Sequence, residues 1–227
     1  MNQFPGIVSL FIACIELVLL INIIVFSEKN KTNKLIIAIV SLLFGYQSME
    51  FFICYSACTA PIAVYSAFVI ITFLPPLLLT LVFTIKQNKT DKTITLIFLP
   101  AVFLLSYYLF VIPNFVVTEC TVLFAAYDMP LGDLYGVVYY SPIIISVILL
   151  LKMLYNPNYE KEKTNLIIIL SGILSAFVPV ALIIAAFPNL IDYVESFFCK
   201  SASLIAITLS IVAIRNKEKL KETKNAE

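Results

Sequence analysis

Histidine and tryptophan are absent from this chain, glycine occurs five times, and charged side chains make up only 13% of 227 residues. Each shortage excludes something. Without histidine there is no Ser-His-Asp triad, no HExxH zinc helix and no histidine phosphoacceptor. Five scattered glycines build no phosphate-cradling loop. The pair Cys54-x-x-x-Cys58 has neither a histidine nor a second cysteine pair beside it, so it is no zinc site, and no metal is expected. The net charge of +1 says nothing about partners; no nucleic-acid partner is expected, and the expectation is that the chain is not an enzyme.

What is present is apolar length. Hydrophobic residues make up 61% of the chain, far above a soluble globular composition. A bilayer core needs about 20 mostly apolar residues per helix. The sequence supplies seven such runs, at about 4–26, 35–55, 61–85, 93–112, 134–154, 164–187 and 190–214, followed by a charged tail at 215–227. The expected fold is an all-α polytopic membrane protein, a bundle of seven transmembrane helices with no room for a separate soluble domain. Run one lacks a basic leader and a small-residue cleavage site, so it reads as a retained helix and not a signal peptide. Pro75-Pro76, Pro142 and Pro179 fall inside runs and should kink them. Ser171, Gly172, Ser175 and Ala176 suit close helix packing in run six. The longest link, 114–133, carries the β-branched and aromatic string FVVTECTVLFAAY. It reads either as a short hairpin or lid over the bundle, or as an irregular apolar loop.

The placement of cations gives an orientation. Of 15 lysines and arginines, all but Lys200 fall in alternate links or in the tail, whereas the other links carry Glu119, Asp128, Asp133 and Asp192. The positive-inside rule then puts the N-terminus outside and the C-terminus in the cytoplasm, which an odd number of spans allows. The NKT sequons at Asn30 and Asn88 fall on the cytoplasmic side, where glycosylation is not expected. The tail is expected to fray into solvent.

Lys200 is the exception that organises the chain. A cation in so apolar a segment costs roughly 2.5–3.5 kcal/mol on insertion scales and should face a partner instead of lipid. Glu16 in run one and Glu50 in run two lie at comparable depth, with Gln47 one turn from Glu50. An intramembrane cluster of Lys200, Glu50 and Glu16, helped by Gln47, is the expectation. It could be a structural ion pair or a ligand-binding or proton-linked site; the other reading has Lys200 snorkelling toward Glu195 or Asp192. A Ser–Lys hydrolase scheme lacks a serine with a clear geometric claim on Lys200, although Ser196 and Ser203 are near it in sequence. Cys58 and Cys120, both on the outer side, could bridge and pin the long link, with Cys54 a competing partner. Cys14 and Cys199 read as packing residues.

Several stretches resemble the seven-helix N-terminal sensory region of bacterial membrane histidine kinases. YQSMEFFICY ends run two with a glutamate after an aromatic stretch. FLPPLLLTLVF is similar to that family's proline-containing third helix, MPLGDLYGVVYYSPIIISVILLL to its fifth, and YEKEKTNLIIILSGILSAFVPVALI to its sixth. The departures are the missing tryptophans and the lack of a dimerisation, kinase or cyclase domain after Arg215. The resemblance implies a free-standing sensory module of a bacterial inner membrane that signals through a cytoplasmic or membrane partner.

Three functions follow from these readings. The first is a sensor or receptor-like module taking a small apolar ligand, lipid or ion near Glu50 and Lys200 in the outer half of the bundle. The second is a secondary transporter or proton-coupled carrier using the same charges, against which stands the absence of an inverted repeat or paired broken helices in the sequence. The third is a retinal-type photoreceptor with a Schiff base on Lys200; no tryptophan is present to sandwich a polyene. No other cofactor is implied.

Overall fold

The structure is a computed structural model that describes residues 5–57, 60–86, 91–123, 125–187 and 194–225. Its helices are α1 (Ile7–Phe26), α2 (Lys31–Tyr55), α3 (Pro61–Thr72), α4 (Leu74–Ile85), α5 (Asp91–Phe110), α6 (Gly132–Leu154), α7 (Lys163–Ala186), α8 (Val194–Ser201) and α9 (Ser203–Asn225). Pairs α3–α4 and α8–α9 each form one span, so the described residues contain seven helical segments long and apolar enough to cross a membrane.

The exposure pattern supports this reading. In α1 the residues turned inward are Ser9, Ala13, Glu16 and Ile23, at helical spacing, so small and polar groups face the bundle. The large apolar side chains face out: Phe11 is 68% exposed, and on α5 Phe103 and Phe110 are 72% and 87% exposed. A soluble helix turns its apolar stripe the other way. Such a surface is stable only against hydrocarbon, where packing and buried polar contacts hold helices together. The α3–α4 span is the centre of the bundle, with 61% of its apolar window buried against 22% for α1 and α5.

Two spans are interrupted, each for a local reason. Pro75 and Pro76 have no N–H, so the carbonyls one turn earlier lose their helical donors. The chain responds at Phe73: its N–H turns back to the Ile71 carbonyl and α4 starts afresh at Leu74. The hydroxyls of Thr72 and Thr80 donate to the carbonyls of Phe68 and Pro76. In the last span the break falls at Ala202, where Ser203 donates its hydroxyl to the Lys200 carbonyl at 2.8 Å. The inserted prolines of α6 and α7, Pro142 and Pro179, stay within continuous helices.

The link after α5 departs from an all-α bundle. It forms an antiparallel hairpin of β1 (Val116–Cys120) and β2 (Ala125–Asp128), with a bulge between Val117 and Glu119. Ala125 and Ala126 are buried, and Phe115 just before β1 is fully buried against the rings of Tyr65, Phe68 and Tyr108. The hairpin therefore lies on one end of the bundle, hereafter the hairpin end; the other is the basic end. It also receives the start of α1: the backbone N–H groups of Gly6 and Val8, orphaned at a helix N-terminus, donate to the carbonyls of Thr121 and Val122. Gly6 has φ 75°, and a Cβ there would sit 3.1 Å from the Cys54 Cβ, so the chain needs glycine at this point.

The disulfide joins Cys54 to Cys120, with Cα atoms 5.5 Å apart. This corrects the expected Cys58–Cys120 pairing; Cys58 itself lies outside the described residues. Cys54 belongs to the buried stripe Gln47, Glu50, Ile53 and Cys54 of α2. Its last turn thus aims the thiol at the hairpin, which position along the chain does not reveal. At the other terminus, α9 runs on to Asn225 through the charged segment expected to fray. Lysine and glutamate are good helix formers, and extending a helix already nucleated adds a hydrogen bond per residue.

Gly172 fixes the crossing of α7 and α9. A Cβ at that position would lie 2.0 Å from Oγ1 and 3.0 Å from Cβ of Thr208. Gly172→Ala is therefore expected to force the two helices apart and to lower stability by about 1–3 kcal/mol, an overpacking cost. Thermal unfolding in nanodiscs checks this, with Thr208→Ala in the same chain expected to restore most of the loss.

Candidate functional site

The polar site is built from three helices and the hairpin. Lys200 of α8 reaches across to α2, where its Nζ lies 2.5 Å from Glu50 Oε1. The same carboxylate oxygen accepts from the Ser9 hydroxyl of α1 at 3.0 Å and from the Ser196 hydroxyl at 3.1 Å. Ser196 stands one helical turn before Lys200, and its Oγ accepts from the Lys200 ammonium at 2.8 Å and from the Ala125 N–H of β2 at 3.3 Å. Glu50 is 1% exposed, and Ser9 and Ser196 are buried. A charge pair taken this far out of water holds only when further donors satisfy its lone pairs. Here two hydroxyls do so for one oxygen, while Glu50 Oε2 has no hydrogen-bond partner among the described residues.

Gln47 adds a second tie between the same helices. Its Nε2 donates to the Cys199 carbonyl at 2.9 Å, just before the break at Ala202. It does not belong to the hydrogen-bonded set around Lys200. Glu16, expected in the cluster, stands apart: it is fully buried, and neither carboxyl oxygen has a hydrogen-bond partner among the described residues. Seven residues separate it from Ser9, about 10 Å along the helix, so it lies well below the level of the ion pair. An orphaned buried polar group costs about 1–3 kcal/mol. Glu16→Leu is thus expected to raise unfolding stability by an amount in that range, measured by denaturation in detergent. Glu195 is on α8, but its side chain and all of Asp192, the partners of the snorkelling reading, lie outside the described residues.

The sequence reading missed Ser9 and named Ser196 only as a neighbour of Lys200, outside the charge cluster. The signal for Ser196 was its i, i+4 spacing from Lys200, which places both on one helix face; Ser9 carried no such mark. The geometry resembles a Ser–Lys pair whose lysine is also bonded to a carboxylate.

At the basic end a second polar group, also unforeseen, joins α2, α7 and α9. Asn216 Nδ2 donates to Asn33 Oδ1 at 3.2 Å, and Asn165 Nδ2 donates to Asn216 Oδ1 at 3.0 Å and to Glu162 Oε2 at 2.9 Å. Asn33 Nδ2 also donates to the carbonyls of Glu28 and Ala213. The last span is thereby hydrogen-bonded to α2 near both of its ends, through Lys200–Glu50 and Gln47–Cys199 at one and Asn216–Asn33 at the other.

Between these two polar sites lies an aromatic interior. One small cavity of about 20 Å³ is bordered by Tyr46, Phe68, Tyr135, Tyr139, Tyr140 and Phe198. A second, also of about 20 Å³, shares Tyr139 and Phe198 and continues past Leu74, Pro75, Phe177 and Ala202. Both span interruptions, at Phe73 and Ala202, therefore adjoin this second space. Among the described residues no group of His, Cys, Asp and Glu side chains is placed to hold a metal ion.

Fold and site together define a multi-pass helical membrane protein with a buried charge pair beside an aromatic interior. Comparison with protein-family models, with curated proteins and with solved structures finds no match.

Proposed function

We propose that the chain is a membrane sensor or receptor-like module. It would take a small apolar ligand, lipid or ion in the hairpin half of the bundle and pass the resulting helix shift to a signalling partner at the basic end. The observation that carries this reading is the double attachment of the last span to α2. A displacement of α8 against α2 at one end would strain hydrogen bonds between the same two spans at the other and so couple the two ends. The resemblance to histidine-kinase sensory regions points the same way.

The proposed orientation has the N-terminus and hairpin outside and the charged tail in the cytoplasm of a bacterial cell. Two features support it: the gathering of cations at the basic end, and the disulfide at the hairpin end, since such bonds persist in oxidising compartments. The test of transmission uses spin labels carried by unnatural amino acids at Lys31 and Arg215, in nanodiscs. Lys200→Met should shift the distance distribution between them. An unchanged distribution in a folded variant overturns the sensor reading.

A second reading, a proton-coupled carrier, is favoured by one observation that the sequence did not announce. The two broken spans face a common cavity, as discontinuous helices do in carriers. Proton uptake into proteoliposomes that Glu50→Gln abolishes would support this reading over the first.

A further inference from the structure

We infer that Glu16 is a proton-binding site of its own, separate from the Lys200–Glu50 group: its carboxyl carries a proton inside the bundle and releases it only when α1 moves off α2. The inference goes beyond both readings above and stands whether the chain senses or carries.

The carboxyl sits where a bare charge has nothing to meet. Glu16 is the one acidic or basic residue of α1, a helix that packs mainly against α2 and α9. Ser9 is bonded to Glu50 and Gly6 lies beside Cys54, so α1 and α2 run antiparallel. Glu16 then stands about 10 Å further toward the basic end, near the level of Leu43. No charged residue occurs between Leu35 and Met49 of α2 or between Ser203 and Ile214 of α9. Tyr46, the one titratable side chain in those two stretches, borders the aromatic interior. Beyond them, Glu50 is paired with Lys200, while Lys31, Lys34 and Arg215 lie at the basic end.

Donors are spoken for as well. The hydroxyls of Thr208 and Ser210 turn to the carbonyls of Ile205 and Ala206, and the Gln47 amide nitrogen turns to the Cys199 carbonyl. The buried side-chain atoms left without a hydrogen-bond partner on this part of α1 and α2 are acceptors: both oxygens of Glu16, and Gln47 Oε1 on the inward stripe one turn from Leu43. An ionised carboxylate buried without cation or donor is strongly disfavoured. A protonated one is uncharged and brings one O–H donor, the group this stretch lacks.

A proton fits this place better than a larger cation. Glu16 is fully buried and borders neither of the two cavities described above. Metal ions in membrane proteins are held by carbonyls that unwound helices release, whereas α1 and α2 run unbroken and the interruptions fall at Phe73 and Ala202. A proton requires neither a cavity nor a shell of ligands. Its release is coupled to movement, because the carboxylate left behind needs water that the packed helices exclude. The hydrogen bonds described above that tie α1 to its surroundings, from Gly6, Val8 and Ser9, all lie at its hairpin end. Its basic-end half is therefore the part free to swing and admit water to Glu16.

The test is infrared spectroscopy of the whole chain in nanodiscs at neutral pH. The spectrum of the wild type minus that of Glu16→Gln should contain the carbonyl stretch of a protonated carboxylic acid, displaced in heavy water, and not the paired stretches of a carboxylate. The band should persist in Glu50→Gln. Raising the pH should remove it from the wild type. The same change should lengthen the distance between spin labels carried by unnatural amino acids at Phe26 and Arg215, and leave that distance unchanged in Glu16→Gln. If Glu16→Gln fails to fold, as judged by gel filtration, Glu16→Leu takes its place. A carboxylate pattern at neutral pH, or an acid band that survives in the Glu16 variant, would overturn the site. A band that pH does not move, or a label response that the Glu16 variant shares, would overturn the coupling of proton release to α1.

Discussion

Lys200→Met is expected to destabilise the protein by about 3–5 kcal/mol, because it strands the Glu50 carboxylate inside the bundle without its cation. Glu50→Leu should cost a comparable amount by stranding the ammonium, which has only 12% of its side chain exposed. The double variant should recover most of the loss, since two apolar groups of similar size need no partners. Equilibrium unfolding of all four proteins in one detergent closes the cycle. A coupling energy near zero would mean that the 2.5 Å contact contributes nothing to holding α2 and α8 together. Ser9 and Ser196 sharpen the expectation. Each donates a hydroxyl to the carboxylate, so Ser196→Ala should weaken the pair by about 1 kcal/mol on its own.

Opening the Cys54–Cys120 bond is expected to cost about as much. The bond closes a loop with a separation of 66 residues, worth about 4 kcal/mol on the chain-entropy scale. Cys54→Ser and Cys120→Ser should each lower the unfolding midpoint of the oxidised protein and leave that of the reduced protein nearly unchanged. Mapping of non-reduced peptides should find Cys54 linked to Cys120 in the native chain and in Cys58→Ser, but no such peptide in Cys54→Ser. Persistence of a Cys120 linkage in Cys54→Ser would restore the Cys58 pairing that the structure replaces. The bond also holds the hairpin over the ion pair, because β2 donates the Ala125 N–H to Ser196. Its reduction should therefore speed hydrogen exchange at the start of α8 as well as in the hairpin.

How much of this was legible beforehand differs by kind. The seven spans were, because each is a local property: some 20 apolar residues in succession can cross a bilayer whatever the rest of the chain does. So was the need of Lys200 for a partner, since burial of a cation is costly anywhere in hydrocarbon. The double proline announced a break in the third span for reasons confined to two missing N–H groups. The break at Ala202 had no such marker. The carbonyls just before it accept from Gln47 of another helix and from Ser203, and only the packed bundle supplies the first of these.

The choices among equivalent candidates belonged to the tertiary structure. Glu16 and Glu50 looked alike at similar depth, yet Glu50 meets Lys200 while neither Glu16 oxygen has a hydrogen-bond partner among the described residues. Cys54 and Cys58 were four residues apart, and the inward stripe of α2 decided for Cys54. Asn33, Asn165 and Asn216 are unremarked polar residues near three helix ends until the bundle closes them into one hydrogen-bonded group. The sequence by itself determined where hydrocarbon-compatible helices lie and which side chains could not face lipid, since both follow from transfer free energies summed along the chain. Which of those side chains meet is set by helix rotation and crossing, fixed here by contacts such as Gly172 against Thr208 between residues far apart in the chain, and only the folded bundle decides that.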